Sequence, residues 1–304
     1  MKILLVTPIR SKPDDPHLKW RRALTALGHT VKLVNLSRFP AIKIWKSLEL
    51  FSARRRFKPD LVFFSAGREA TWLVKKTVFF TGVAPKMLSS NERQIGRWSR
   101  LVVVNEPADV KAWESLGAKK VICLPISAVG PADFKNKNFR RDIKVSFVGT
   151  LLPNRQAFLS QLKQRGVSVK VWGWLPPGVK ILPELEPVYG GEAWGKRVSA
   201  HYCRSLIGLN LSPDHLPQGG NLRSFEIPAA GALLLANRLN PDWFVPDKQA
   251  VEFHGIKDCV QKINYYLTHQ AERKKIANAG RRRCRSEHTY AKRFRQLMKH
   301  IAAL

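Results

Sequence analysis

Apolar residues in this 304-residue chain fall into short runs, separated by longer stretches whose apolar positions repeat with a helical period. Runs of four to six apolar residues bounded by Gly, Pro or Asn read as buried strands, and the stretches between them as amphipathic helices. In the first half, strands are predicted at 3–7, 31–35, 61–64, 101–104 and 121–124. Helices are predicted at 17–27, 42–57 and 105–116, the first closed by Gly28 and the last by Gly117, the residue helices prefer just past their ends. On helix 42–57 the stripe Ile44, Leu48 and Phe51 is expected to face the sheet. The alternation restarts with a strand at 143–148, a helix at 156–165 and a strand at 167–172. A Pro- and Gly-rich stretch at 175–191 reads as loop, and 192–204 as helix. Strands at 206–211 and 232–236, a short strand near Val251, and helices at 256–267, 271–286 and 290–303 complete the pattern. Strand–helix alternation of this kind argues for parallel βαβ units. The predicted organisation is α/β, with a Rossmann-like domain at 1–126, a polar linker at 127–142 and a second Rossmann-like domain at 143–288. A closing helix at 289–304 could cross back to the first domain. Two such halves facing across a cleft would place a ligand between the carboxyl ends of their strands.

One segment carries more than its periodicity. Between the strands at 206–211 and 232–236 lies Gln218-Gly219-Gly220-Asn221-Leu222-Arg223-Ser224-Phe225-Glu226, a Gly-Gly turn opening into a helix with one acid in its first turn. Glycines let a ligand approach the backbone, free N–H groups at a helix start suit an anion, and a carboxylate one turn in suits sugar hydroxyls. The chemistry points to a nucleotide or a sugar phosphate.

Composition narrows the setting. A net charge of +31 favours anionic partners, including nucleic acid, anionic lipid and phosphorylated glycans, without choosing among them. Basic residues are densest at 273–285 and at Arg54-Arg55-Arg56. No apolar run reaches the ~18 residues of a membrane span, and the start carries no leader pattern, so the chain reads as cytosolic. Cys123, Cys203, Cys259 and Cys284 show neither a metal-ligand spacing nor a close pair, and read as reduced. The run 190–197 superficially fits a phosphate-binding loop, but Arg197 stands where a Ser or Thr would hold Mg²⁺ and no strand precedes it.

Three stretches resemble a known family in order along the chain. Val145-Ser146-Phe147-Val148-Gly149 with Pro153-Asn154-Arg155, Ile207-Gly208-Leu209-Asn210, and Arg223-Ser224-Phe225-Glu226 through Gly231 are similar to the donor domain of GT-B glycosyltransferases of the group-1/family-4 type. The CgeB-like (spore maturation protein) branch is the nearest in pattern. The resemblance covers roughly 143–297. It implies a GT-B fold, a nucleotide-diphosphate sugar as donor, no cofactor, a metal-independent reaction and a polar acceptor held by the first half. On that resemblance Glu226 grips the nucleotide ribose and Arg155 neutralises the diphosphate, a role that charge development on the leaving group would also call for. Gly149, Asn210, Gln218, Gly219, Gly220 and Arg223 complete the expected donor site. Gln218 departs from the family, which commonly has a glutamate eight residues before the second one, and this leaves the retaining stereochemistry open.

On the acceptor side the sequence offers three candidates for catalysis, His17 and Asp15 at the first strand–helix junction and Glu69 after the third strand. Each has an ordinary alternative as a helix-start or turn residue. The leading expectation is a glycosyltransferase acting on an anionic or membrane-associated acceptor glycan, peripheral to the inner membrane face, with helix 42–57 as the candidate contact. Two rivals stand beside it: a non-catalytic GT-B-like module that binds nucleic acid or anionic membrane, and a glycosyltransferase that modifies DNA.

Overall fold

The computed structural model describes residues 1–7, 15–36, 43–65, 76–130, 139–218 and 220–304, with the backbone alone at 43–47. The chain divides into two compact units, Met1–Ala128 with Tyr290–Leu304, and Val129–Thr289.

The first unit is built on a six-stranded parallel sheet in the order β2-β1-β3-β4-β5-β6. Its strands are β1 (Lys2–Thr7), β2 (Thr30–Asn35), β3 (Leu61–Phe64), β4 (Thr77–Thr81), β5 (Leu101–Val104) and β6 (Val121–Cys123). Helices α1 (Pro16–Ala26), α2 (Lys43–Phe57), α3 (Ser90–Trp98) and α4 (Pro107–Ser115) connect them. The central strands are buried along their whole length, which is why they read as continuous Ile/Leu/Val/Phe runs rather than alternating ones. One face is closed by Trp20, Leu24, Phe63, Phe80 and the closing helix α10 (Tyr290–Ala302), which contributes Tyr290, Phe294, Leu297 and Ile301. The other face is closed by Leu50, Ala53, Phe79, Ile95 and Trp113.

Two elements of this unit escaped the sequence reading. The strand β4 is buried at all five positions, and its Thr-Val-Phe-Phe-Thr composition suits a strand. The helix α3 opens with Ser89, whose hydroxyl accepts from Glu92 N–H while the Glu92 carboxylate accepts from Ser89 N–H, a reciprocal cap visible in the sequence as Ser-x-x-Glu. The expected packing of α2 is also corrected. Leu48 and Phe51 are about half exposed, and it is Leu50 and Ala53 that are buried. The helix carries two apolar stripes on different faces, and the sheet takes the one that runs through Leu50, Ala53 and Phe57. The side chain of Ile44 lies outside the described residues.

The second unit has a five-stranded parallel sheet in the order β11-β10-β9-β7-β8. Its strands are β7 (Ile143–Val148), β8 (Val169–Trp172), β9 (Ser205–Asn210), β10 (Leu233–Ala236) and β11 (Val251–Glu252). Helices α5 (Pro153–Gln164), α6 (Lys196–Arg204), α7 (Arg223–Ala229), α8 (Gly255–Thr268) and α9 (Gln270–Glu287) flank it. Helix α6 starts four residues later than expected. Gly195 has φ +53°, and Glu192, the expected first residue, instead accepts from the indole N–H of Trp194 at 2.7 Å. The Pro- and Gly-rich stretch before it contains a 3₁₀ helix, Pro183–Val188, that buries Leu185.

The segment read as a polar linker is packed at both described ends. Ser127, Ala128 and Val129 are buried. Further along, Arg141 donates to the carbonyls of Tyr202, Ser205 and Ala230, binding the ends of α6 and α7 together. The run 135–138 lies outside the described residues. All four cysteines are unpaired, with Cys203, Cys259 and Cys284 buried.

Candidate functional site

In a doubly wound sheet a ligand site forms where the chain leaves one strand and the next connections run to opposite sides. In the second unit that place lies between β7 and β9, and Arg155 occupies it. Pro153 opens α5, where a proline's missing N–H costs nothing. Arg155 in the same turn then donates from Nη1 to Thr150 O (3.1 Å) and from Nη2 to Leu211 O (2.6 Å). It thereby ties the loop after β7 to the loop after β9. Burial, then the neighbouring Arg223 charge, hold its guanidinium below the ordinary value, with Asp214 acting the other way. Beside it opens a cavity of about 370 Å³, lined among others by Arg155, Phe158, Asp214, Arg238, Phe253 and His254. Arg238 pairs with Asp214 at 2.9 Å, and Phe158 and Phe253 pack at 5.7 Å. The sequence reading missed Arg238, Phe253 and His254, each of which lies within two residues of the carboxyl end of a short strand.

The remaining donor candidates gather behind this cavity. Arg223 and Glu226 form a largely buried ion pair, and Arg223 Nε also donates to Val148 O at 2.8 Å. Burial works against the Arg223 charge, but Glu226 and Tyr202 together outweigh it and raise the guanidinium above its ordinary value. The other Glu226 oxygen, Oε1, makes no hydrogen bond to the described residues. The expectation of free N–H groups at the start of α7 is corrected. Asn221 Oδ1 accepts from Arg223 N (2.9 Å) and Ser224 N (3.3 Å), and Leu222 O accepts from Phe225 N and Glu226 N. An Asn one position before the cap residue satisfies the donors that an anion would need.

Asn210, at the end of β9, takes part in the same network. Its amide donates to Ser224 Oγ (3.0 Å), and its oxygen accepts from Asn221 (3.2 Å), which also donates to Ser212 Oγ (3.1 Å). Gln218 accepts from Asn240 at 2.6 Å, so the amide in the family's glutamate position anchors a neighbouring loop. Gly149 follows β7 and touches Gly173, where an added Cβ would stand 1.6 Å from the Gly149 oxygen; the φ of +156° at Gly173 disfavours any side chain there as well. Gly220 is buried, and Gly219 lies outside the described residues.

In the first unit the corresponding switch point lies between β1 and β3. Thr7 and Ser65 end the two strands, and His17 stands in the first turn of α1. Ser65 Oγ lies 2.7 Å from Thr7 Oγ1 and 3.0 Å from His17 Nε2, while Asp15 Oδ1 lies 2.7 Å from His17 Nδ1. Asp15 is also the helix cap, accepting from His17 N at 2.9 Å. Glu69 falls outside the described residues. Thr7 and Ser65 were not singled out from the sequence, although each is a hydroxyl residue closing an otherwise apolar run.

A second cavity, about 410 Å³, is lined by Phe51, Arg54, Arg55, Lys58, Pro59, Val62 and Lys76. No helix among the described residues is long and apolar enough to cross a membrane.

Two parallel Rossmann-like sheets, each with polar groups gathered at its switch point, define the GT-B fold. Solved structures bear this out. The chain superposes on Anabaena HepE in complex with UDP over the full length of both chains, with a TM-score of 0.69 and 13% identity, and on the same protein with UDP-glucose at 0.68 and 12%. AviGT4, a glycosyltransferase involved in avilamycin A biosynthesis, matches at 0.64 and 13%, covering 98% of this chain and 96% of that one. A UDP-N-acetylglucosamine 2-epimerase matches at 0.55 and 12%, covering 92% and 90%. Residues 155–299 match the model of the glycosyl transferase-like family. Comparison with curated protein sequences gives no match.

Proposed function

We propose that the protein is a glycosyltransferase that takes a sugar from a nucleotide-diphosphate donor and passes it to an anionic or membrane-associated acceptor glycan. The observation that carries this is Arg155. It sits at the switch point of the second sheet, it opens onto a cavity with a second arginine, and it begins the segment that matches the glycosyl transferase-like model. The epimerase likeness shows that the fold also serves other nucleotide-sugar chemistry, so the fold by itself does not select transfer.

In this reading Arg155 meets the diphosphate, whose charge grows as the glycosidic bond breaks, and does so without a metal ion. Glu226 Oε1 is the oxygen left for a ribose hydroxyl, with Arg223 holding the carboxylate in place. UDP is the favoured nucleotide because HepE is solved with UDP and UDP-glucose. The order of the motifs supports the CgeB-like branch as the nearest in pattern. The +31 charge and the exposed Leu48 and Phe51 beside Arg54, Arg55 and Lys58 support contact with anionic membrane. One observation favours the non-catalytic alternative: the N–H groups at the start of α7 are already capped by Asn221.

The test is thermal unfolding with UDP, GDP, ADP, dTDP and CMP. A ligand that binds only the native state adds RT ln(1 + [L]/Kd), about 2.7 kcal/mol at 100-fold saturation. We expect UDP to raise Tm, and R155A to lose most of that rise. Arg155 is the better probe than Glu226, since truncating Glu226 leaves Arg223 buried without its partner, a loss of about 3–5 kcal/mol that would obscure binding. No rise with any nucleotide at millimolar concentration would sink the donor site.

A further inference from the structure

The cavity beside Arg155 holds a second cation whose counter-ion is loosely kept. Arg238 is anchored to the backbone, since its Nη1 donates to Pro213 O at 2.8 Å, and only 29% of its side chain is exposed. Its other arm, Nη2, donates to Asp214 Oδ1 at 2.9 Å, and the Asp214 side chain is 88% exposed. An ion pair so open to water adds little and opens readily. The guanidinium is therefore fixed, while its carboxylate can swing away. Asp214 also acts on Arg155: burial and then the Arg223 charge depress that guanidinium, and Asp214 opposes them. One exposed acid thus serves two arginines on the wall of a single cavity, which keeps a cation in excess.

Holding a diphosphate at Arg155 does not account for Arg238. Arg155 is tied to Leu211 O in the loop after β9, whereas Arg238 follows β10 and reaches back to Pro213 and Asp214. The same cavity is walled by Phe158 and Phe253, whose ring centroids lie 5.7 Å apart, an apolar surface that suits the C–H face of a pyranose. At about 370 Å³ the cavity is near the lower end of small-molecule sites, ~300–1,000 Å³, and suits one sugar ring. A neutral ring leaves the Asp214–Arg238 pair as it is and offers Arg238 no charge. A ring that bears a carboxylate can take the place of Asp214 on the guanidinium, where charge-assisted N–H···O bonds are the strong ones. Asp214 then returns to water at little cost.

We propose that Arg238 selects a donor whose sugar carries a carboxylate, a nucleotide-diphosphate uronic acid, and that Asp214 holds the place this carboxylate takes. The proposal rests on the transferase reading above and names the substrate class of its donor site. Arg155 holds the diphosphate, the pyranose lies against Phe158 and Phe253, and the sugar carboxylate meets Arg238. Each charged group of the donor is then met by a guanidinium already fixed by a backbone carbonyl.

The experiment is calorimetric titration of the full chain with two pairs of donors, UDP-glucose with UDP-glucuronate and UDP-galactose with UDP-galacturonate. Where another nucleotide raises Tm most, its sugars replace these. Each affinity is referred to that of the nucleotide alone, so that a change at the diphosphate cancels. In at least one pair the uronate is expected to bind about 10–100-fold more tightly, the range for a hydrogen bond to a charged group. R238Q should bring that pair within about threefold, and R238K, which keeps the charge but loses the fork, should fall between. D214N removes the competing carboxylate and should tighten binding of the uronate. Neutral sugars that bind as tightly as their uronates, or a preference that survives R238Q, overturn the proposal and leave the transferase reading standing. A preference for a neutral sugar that D214N abolishes would mark Asp214 as the acceptor of sugar hydroxyls, which also overturns it. A wild-type protein that binds no nucleotide and no donor defeats the transferase reading itself, and this assignment with it.

Discussion

His201 illustrates how far a residue's chemistry depends on its neighbours. Its ring stacks on Trp172 with centroids 3.9 Å apart, and its Nδ1 is buried without a hydrogen-bond partner among the described residues. Burial, then the Arg204 and Arg197 charges, push its pKa down to about 4. Between about 4 and the ordinary value of 6.5 the unfolded chain therefore binds more protons than the folded one. The stability this residue contributes is full above about 6.5 and is lost as the pH falls toward 4. Urea midpoints at pH 7.5, 5.5 and 4.5 should drop more steeply for wild type than for H201F, which keeps the stacked ring; equal slopes would refute the assignment. No sequence signal announced this site, since Trp172 lies in a strand and His201 in a helix. Arg155 and Gly149 were legible because each sits at a strand end or helix start that local patterning fixes. The pairing of Glu226 with Arg223 was less so, because a residue three positions away on a helix can equally face a ligand or a neighbour.

At the scale of elements, buried arginines hold backbone carbonyls at helix ends. Arg273 is 4% exposed and donates to Tyr266 O and to Leu267 O (3.2 Å) in the last turn of α8. Arg141 does the same for α6 and α7, while Arg283 holds a turn instead, donating to Trp243 O (3.3 Å) and Asp242 O (3.0 Å). Carbonyls in a last turn lack helical partners and carry the negative end of the dipole, so a planar, multiply donating cation suits them. Replacing Arg273 with Met keeps apolar bulk but strands those carbonyls, and it should cost about 1–3 kcal/mol. The exposed neighbour Arg282 should tolerate the same change within about 0.5 kcal/mol. Denaturant unfolding of R273M and R282M tests the contrast, and equal effects would refute it. From the sequence, the 273–285 run read as one basic surface. Only the packing of α9 against β10 and α7 separates its structural arginines from its solvated ones.

For the whole molecule, the +31 charge is therefore partly internal wiring, and the remainder is what a partner meets. Leu48 and Phe51 stand exposed next to Arg54, Arg55 and Lys58, so association with vesicles of anionic lipid should combine apolar insertion with charge attraction. Flotation with phosphatidylglycerol vesicles is expected at 0.1 M salt and largely lost at 0.5 M, where screening is shorter. Replacing Leu48 and Phe51 with Ser should weaken binding at both. Binding that ignores salt and both substitutions would count against this surface. The sequence by itself determined the alternation of strand and helix, the two parallel sheets and the residues at most strand ends, because periodicity and Gly/Pro punctuation act over a few residues. Strand order alone decided which of those residues meet. Thr7 and Ser65 are 58 positions apart, His17 and Ser65 are 48 apart, and Arg155 reaches Leu211 across 56. Those contacts exist because β3 lies beside β1 and β9 beside β7, a long-range choice made by how the sheets assemble, which no local pattern encodes.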